Sequence, residues 1–250
     1  MMEMKPFENS KKIAFDLFYV QMVWTLWYVS FLFVVQFMML LLPDFIKLNV
    51  SDAESPASMY FMNFGLTASK TYMLVIGIIS SYAFLKHYIH QGVTRKDYFV
   101  GSTIAVILLS ILLPILMWIL SGVQYLILGW AGIPRQESVV IGYEMFSLMP
   151  FIIFTLQFLV YYLAGWMVSM SFYRFGFFGG MLSIPVGLAG LILLDMVWGG
   201  GDAEELLSDW IPIYPIELTT TTAMLTSLVL AAVFILLHRL ISRNIVIKIK

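Results

Sequence analysis

The chain has 250 residues, of which 61% are hydrophobic and only 12% are charged. In soluble domains about a quarter of the residues are charged, so this composition excludes an ordinary soluble domain and indicates a membrane protein. The formal net charge of -1 says nothing about partners, and we expect no nucleic-acid partner. The absence of cysteine excludes disulfides and thiolate metal sites.

The long apolar runs predict the number of membrane-crossing segments. A helix needs about 20 apolar residues to cross the hydrocarbon core of a bilayer, and six runs are long enough. They predict transmembrane helices over residues 17–43, 58–85, 100–127, 146–172, 177–198 and 218–238. The sequence therefore predicts an all-α membrane protein with six transmembrane helices, which form a single transmembrane domain over residues 1–250.

The distribution of Lys and Arg predicts the orientation, because basic residues near the ends of spans favour the cytoplasmic side. With both termini in the cytoplasm, only Lys47 and Arg135 lie in outer loops. The basic residues on the inner side are then Lys5, Lys11, Lys12, Lys86, Arg95, Lys96, Arg174, Arg239, Arg243, Lys248 and Lys250. We therefore expect a multi-pass protein of a cell membrane with both termini cytoplasmic.

Residues 1–16 precede the first span and combine apolar with charged side chains. Phe7, Ile13 and Phe15 are interleaved with Lys11 and Lys12. This pattern is typical of a helix that lies in the membrane interface. We therefore predict a cytoplasmic interfacial helix that turns into the first span, the alternative being a positively charged tail without a helix.

The segment 86–99, between the second and third spans, carries the main functional prediction. Its second half reads Gly92-Val93-Thr94-Arg95-Lys96-Asp97-Tyr98-Phe99. It is short, basic and compatible with a helix, and two aromatic residues follow its charges. A membrane protein driven by a cytoplasmic motor needs such an ordered contact segment, so we interpret it as a coupling loop.

This stretch, with Gln91 before it and Val100-Gly101 after it, resembles the cytoplasmic loop of type-2 ABC transporter permeases. The order of an interfacial helix, six spans and a short basic tail also resembles that family. The resemblance implies that residues 92–99 form a coupling helix that docks on a separate ATPase. Arg95 and Lys96 would pair with acidic groups, Tyr98 and Phe99 would form an apolar anchor, and Gly92 and Gly101 would permit bends. The alternative is that the basic pair only sets orientation and the aromatic pair lies in the interface.

The resemblance also implies partners, because the chain contains no G-x-x-x-x-G-K-[ST] nucleotide-binding sequence. No cofactor is expected on this chain, and ATP and Mg would be bound by the partner, a cytoplasmic ABC ATPase subunit. A second copy of the chain or a related permease would complete the pore among membrane lipids. The function implied is the membrane subunit of a bacterial plasma-membrane exporter for a hydrophobic or amphipathic substrate, such as a peptide, antimicrobial, lipid or drug.

The outer loop 199–217 is unusually apolar for a free loop, and its glycines at 199–201 end the fifth span. Similar permeases have short re-entrant helices between spans five and six that close the outer mouth. By this resemblance Glu204, Glu205 and Trp210 are candidates for an outer gate. The alternative is an interfacial hairpin held by Trp210.

Lys70 is the one basic residue well within a predicted span, where an unpaired charge costs several kcal/mol. Asn63 and Thr67 precede it by seven and three residues, on nearly the same helix face. This common face predicts that the three side chains line a substrate path, the alternative being that Lys70 reaches the outer headgroups. Asp195 is expected in a structural role at the outer interface.

Two further patterns bear on packing and on competing functions. Close helix packing is predicted for span five by the glycines within it and just before it, which are Gly176, Gly179, Gly180, Gly187 and Gly190. The chain lacks a His-Glu-x-x-His metalloprotease motif, and no enzyme activity or metal site is expected. A secondary transporter, or a membrane immunity or scaffold protein without an ATPase partner, remains the alternative function.

Overall fold

The computed structural model describes residues 6–41, 60–131, 139–140, 143–144, 147–199 and 219–243. The helices are α1 (Pro6–Leu41), α2 (Phe61–His90), α3 (Arg95–Trp130), α4 (Leu148–Val197) and α5 (Thr220–Arg243). Between α3 and α4 the strands β1 (Val139–Val140) and β2 (Tyr143–Glu144) pair antiparallel, with Val139 opposite Glu144. All five helices are long and apolar enough to cross a bilayer, which confirms the predicted class of an all-α membrane protein.

The 50-residue helix α4 folds back on itself at Gly176. A straight helix of this length would measure about 75 Å, against about 30 Å of hydrocarbon in a bilayer. Gly176 has φ 73° and ψ -161°, and a Cβ there would meet no neighbour. This glycine is therefore needed for its left-handed backbone, and the predicted role of Gly176 in close packing is wrong.

The two limbs of α4, residues 148–175 and 177–197, run antiparallel. Tyr161 hydrogen-bonds Asp195, 34 positions along the chain, although a straight helix would hold them about 50 Å apart. Gly187 faces the side chain of Met167, and both residues lie closer to Gly176 along the chain than Asp195 and Tyr161 do. Contacts between the limbs are thus nested around Gly176, so α4 is a helical hairpin. Its limbs match the predicted spans 146–172 and 177–198.

One end of the bundle, here called the basic end, gathers four segments: the start of α1, the α2–α3 turn, the bend of α4 and the end of α5. Ser10 of α1 hydrogen-bonds Asp97 of α3. The guanidinium of Arg174 donates to the carbonyl oxygens of Leu240 and Ile241 at 2.7 and 2.9 Å. These carbonyls belong to the last turn of α5, where a cation is favourable. The basic end thus contains both ends of the described chain.

The opposite end, here called the far end, joins the other helix termini. The Phe61 amide, at the start of α2, donates to Oε1 of Gln124 near the end of α3 at 2.6 Å. At the junction of α4 and α5, the indole of Trp198 donates to Ser227 at 2.9 Å. The first bond satisfies a backbone amide at the start of α2, where the intrahelical ladder leaves such groups without partners, and the second ties the end of α4 to α5.

The helix α2 and the first limb of α4 cross with their backbones in close contact. A Cβ at Gly77 would collide with the carbonyl oxygen of Tyr162, and a Cβ at Gly165 would collide with that of Leu74. Two glycines from different helices therefore let the two backbones touch. Around this crossing lies the core, which includes the fully buried Trp166, Phe158, Met73, Leu163 and Met170.

The helix boundaries differ from the predicted ones at the basic end. The expected interfacial helix 1–16 is not a separate element, because α1 continues from Pro6 to Leu41 without a break. Ile13 and Leu17 are both buried, four residues apart on one face, so the same apolar stripe runs through the predicted junction. α2 ends at His90 and α3 begins at Arg95, which shortens the predicted loop 86–99 to four residues.

Candidate functional sites: the basic elbow and a buried ion pair

The elbow between α2 and α3, residues 91–94, is a tight and fully capped turn. Gly92 has φ +81°, a conformation that favours glycine, and its surroundings are open. Thr94 is the N-cap of α3: its hydroxyl accepts from the Asp97 amide at 3.1 Å and donates to the Asp97 carboxylate at 2.6 Å. This is a local capping interaction that starts the helix at Arg95.

Asp97 also ties the elbow to α1. Its Oδ1 accepts from the hydroxyl of Ser10 at 3.0 Å, and both side chains are buried. One turn further along α3, a Cβ at Gly101 would lie 2.8 Å from the Ser10 carbonyl oxygen and 2.9 Å from Cβ of Ile13. Gly101 therefore permits close packing on α1 within a continuous helix, and the bend predicted at this residue is absent.

The structure corrects the predicted apolar anchor. Tyr98 is 1% exposed and Phe99 is 9% exposed, so neither presents a surface to a partner. The Tyr98 hydroxyl donates to the Ser80 carbonyl oxygen at 3.4 Å. The Phe99 ring stacks on Trp166 with centroids 6.1 Å apart, and the guanidinium of Arg239 lies 5.3 Å from its centroid. Both aromatic side chains anchor the elbow inside this chain.

The exposed part of the predicted coupling loop is its polar half. Gly92, Thr94, Arg95 and Lys96 are exposed, and Val93 is half-buried. Further exposed cations of the basic end are Lys11, Lys12, Arg239 and Arg243. The acidic residues there whose side chains are described are the exposed Asp16 and the buried Asp97. The basic end therefore offers a positively charged surface in which Arg95 and Lys96 stand on a rigid turn.

A second site lies inside the helices toward the far end. Nζ of Lys70 is 3.2 Å from Oδ1 of Asp195, and the two side chains are 8% and 9% exposed. The hydroxyl of Tyr161 donates its proton to the carboxylate of Asp195, with its oxygen 2.9 Å from Oδ2 and 3.2 Å from Oδ1. This group joins α2 to both limbs of α4. Burial of the pair is tolerated because each charge has a hydrogen-bonded partner.

The pairing of Lys70 with Asp195 was not predicted. Asp195 was expected at the outer interface, but it is buried in the bundle. The signal was present in the sequence, because an intramembrane charge calls for a partner of opposite sign in another span. Lys70 and Asp195 are the oppositely charged residues within the predicted spans.

The predicted path residues divide between two environments. Lys70 turns inward to Asp195, whereas Thr67 is exposed and Asn63 is half-buried. Thr71, also exposed, donates its hydroxyl to the Thr67 carbonyl oxygen at 3.3 Å. Asn63, Thr67 and Thr71 are spaced by four residues and form a polar stripe on α2 next to Lys70.

Two further polar groups that lie in apolar runs make contacts between helices. His238 is fully buried, its Nε2 is 3.1 Å from the Leu163 carbonyl oxygen, and its ring stacks on Trp166 at 4.0 Å. The Gln21 amide donates to the Tyr162 hydroxyl at 2.8 Å. These contacts join helices that are far apart in sequence. Within the described part of the chain no group of three His, Asp or Glu residues could hold a metal ion.

The remaining predicted site residues, Glu204, Glu205 and Trp210 of the outer gate, lie outside the described residues, as do the predicted re-entrant helices of loop 199–217 beyond Gly199. Comparison of the chain with protein-family models, with curated proteins and with solved structures finds no match. The features of the chain that bear on its function are therefore the basic elbow and the buried ion pair.

Proposed function

We propose that this chain is the membrane-spanning subunit of an ATP-driven exporter, resembling a type-2 ABC permease, and that its basic end contacts a separate cytoplasmic ATPase. The observation that carries the proposal is the α2–α3 elbow. It holds Arg95 and Lys96 exposed to solvent while Asp97, Tyr98 and Phe99 are fixed inside the bundle. A contact segment that transmits force needs both properties, an exposed outer surface and a rigid inner attachment.

The contacts of the elbow suggest how movement of a docked ATPase reaches the spans. Asp97 is bonded to Ser10 and so to α1. Phe99 packs on Trp166 of α4, next to His238 of α5. A displacement of Arg95 and Lys96 therefore moves the start of α3 together with three other helices. ATP and Mg would be bound and used entirely by the partner.

The hairpin of α4 supports a topology of six spans with both termini in the cytoplasm. Its two limbs would each cross the membrane, and Gly176 would lie on the inner side with the other segments of the basic end. Placing this end in the cytoplasm agrees with the preference of basic residues for that side. The proposed location is a bacterial plasma membrane, where a second copy or a related permease would complete a path for a hydrophobic or amphipathic substrate.

The topology predicts a pattern of thiol labelling, and the absence of native cysteine makes the assay clean. Cysteines at Lys11, Thr94 and Arg243 should be protected from a membrane-impermeant reagent in intact cells and should react after the membrane is opened. Cysteines at Ala131 and Thr219, both exposed at the far end, should react in intact cells. Labelling of Lys11→Cys and Arg243→Cys from opposite sides would mean an odd number of spans and would exclude this topology.

The docking proposal predicts that charge reversal at the elbow separates the chain from its ATPase. Arg95→Glu with Lys96→Glu should reduce copurification of an ATP-hydrolysing subunit at least about tenfold, because charge reversal at a complementary interface costs several kcal/mol. The matched control, Arg95→Lys with Lys96→Arg, keeps both charges and should retain the partner. Equal recovery of ATP-hydrolysing partner with both pairs, or none with the unmodified chain, would refute docking here.

A second candidate function is a carrier driven by an ion gradient, and the buried Lys70–Asp195 pair favours it. Ionisable residues within spans often belong to ion or proton pathways. The two functions differ in their source of energy. Reconstituted without any ATPase, a carrier should move substrate when a pH gradient is imposed across the liposome membrane, whereas the exporter subunit should not.

A further inference from the structure

We propose that Lys70 is an exchangeable anion site, at which the acidic head of an amphiphilic substrate displaces the carboxylate of Asp195. The inference rests on the proposed transport function and names its substrate class, an amphiphile that carries a phosphate or carboxylate. It does not depend on the ATPase, because the site lies within this chain and toward the far end.

The geometry of the ion pair favours exchange over a permanent lock. The contact between Lys70 and Asp195 joins Nζ to Oδ1 at 3.2 Å. Asp195 is held separately by Tyr161, whose hydroxyl lies within hydrogen-bonding distance of both carboxylate oxygens. The carboxylate therefore keeps a donor when the ammonium turns away. A lysine ammonium on a flexible stem can turn to another anion without a change in the backbone.

The polar stripe on α2 gives an anion a route to Lys70. Thr67 and Thr71 are exposed, Asn63 is half-buried, and these residues cover about 12 Å of helix length. Hydroxyl and amide groups on the outer face of a spanning helix are more favourable next to a polar path than in contact with lipid tails. Four residues beyond Thr71 the exposed position is Val75, which is apolar. The stripe thus ends at the level of Lys70, where a head group would meet its counter-charge and an alkyl tail would meet apolar side chains.

In the wild type, the Asp195 carboxylate and the acidic head of the substrate compete for Lys70. This competition lowers the apparent affinity of the chain for the substrate. While Lys70 is paired with Asp195, only the small fraction of molecules with the pair open binds the external anion at full strength. Removing the competing carboxylate should therefore tighten binding. Removing the Tyr161 hydroxyl should weaken it, because the displaced carboxylate then loses the donor that makes displacement tolerable.

The test is thermal unfolding of the purified full chain in a neutral detergent, titrated with dodecyl phosphate. We expect dodecyl phosphate to raise the unfolding temperature, while dodecyltrimethylammonium and inorganic phosphate at the same concentrations do not. Asp195→Asn should lower the apparent Kd about tenfold or more, and Tyr161→Phe should raise it. Lys70→Met combined with Asp195→Asn should abolish the response, whereas Arg95→Glu with Lys96→Glu at the basic end should leave it unchanged.

Three outcomes would overturn the inference: an undiminished response in the doubly neutralised variant, an equal response to inorganic phosphate, or tighter binding in Tyr161→Phe. If Asp195→Asn yields too little folded protein, Tyr161→Phe and the doubly neutralised variant decide the question. The assay contains no ATPase, so failure here leaves the docking result intact, and loss of docking leaves this result intact.

Discussion

Gly165→Ala is expected to leave little folded protein, although it adds a single methyl group. That methyl group would collide with the carbonyl oxygen of Leu74 on α2, and a helix backbone cannot yield as a flexible side chain can. Overpacking of a core costs about 1–3 kcal/mol and sometimes more, and a clash with backbone belongs at the upper end. The measurement is the recovery of monodisperse protein after heating in detergent.

The matched control for this substitution is Gly187→Ala on the other limb of α4. A Cβ at Gly187 would lie 3.4 Å from a Val168 methyl carbon and 3.6 Å from the terminal carbon of Met167, which are ordinary contacts. Gly187→Ala should therefore unfold at nearly the wild-type temperature. Gly77→Ala should be as harmful as Gly165→Ala, and the two together should cost less than their sum because both force the same helices apart. Full recovery of Gly165→Ala protein would show that α2 and α4 do not cross in this way.

Much of the architecture could be predicted because it depends on local sequence. The apolar runs indicated the helices, and the basic Arg174 between the fourth and fifth predicted spans marked the interruption that the structure shows within α4. The positions of contact could not be predicted in the same way. Helices that are apolar on every side carry little periodicity, so nothing in the sequence marked Gly77 and Gly165 as the crossing point. The glycines of span five looked more suited to that role.

The misassignment of Tyr98 and Phe99 has a physical explanation. Arg95, Lys96 and Asp97 precede them, and three charged residues before two aromatics resemble the rim of a protein interface. When these residues are placed on a helix, Tyr98 falls on its buried face rather than on its surface. Tyr98, Ala105 and Leu109 are all buried, and their spacings of seven and four residues put them on one face of α3. The buried face of the helix thus begins before its apolar run does.

The exposed half of the same loop was predicted from sequence for a sound reason. Basic residues next to a span tend to face the cytoplasm, and Arg95 and Lys96 are both exposed in the first turn of α3. Their proposed role differs from that of the aromatics in a testable way. Tyr98→Ala should destabilise the chain itself by about 3–5 kcal/mol, whereas Arg95→Glu with Lys96→Glu should leave its unfolding temperature unchanged and affect only the partner.

The largest electrostatic effect is expected when one charge of the Lys70–Asp195 pair is removed. Lys70→Met leaves the Asp195 carboxylate without its cation, and Asp195→Asn leaves a buried ammonium without its anion. Breaking a buried ion pair from one side costs about 3–5 kcal/mol, so each single variant should lose much of its thermal stability. Replacing a buried lysine that had no partner would relieve a solvation cost, but replacing one that is paired exposes its partner to the same cost.

Removing both charges should restore most of that stability. Lys70→Met with Asp195→Asn leaves no uncompensated charge, and the introduced asparagine is nearly the same size as aspartate, so Tyr161 keeps an oxygen acceptor. Neutral replacement of a buried ion pair is often without cost or even stabilising. Unfolding temperatures of the wild type, the two single variants and the double variant form a complete cycle that measures the coupling. If the double variant loses as much stability as the two single variants together, the two side chains do not interact. The Asp195 carboxylate then cannot be the counter-charge that a substrate displaces from Lys70.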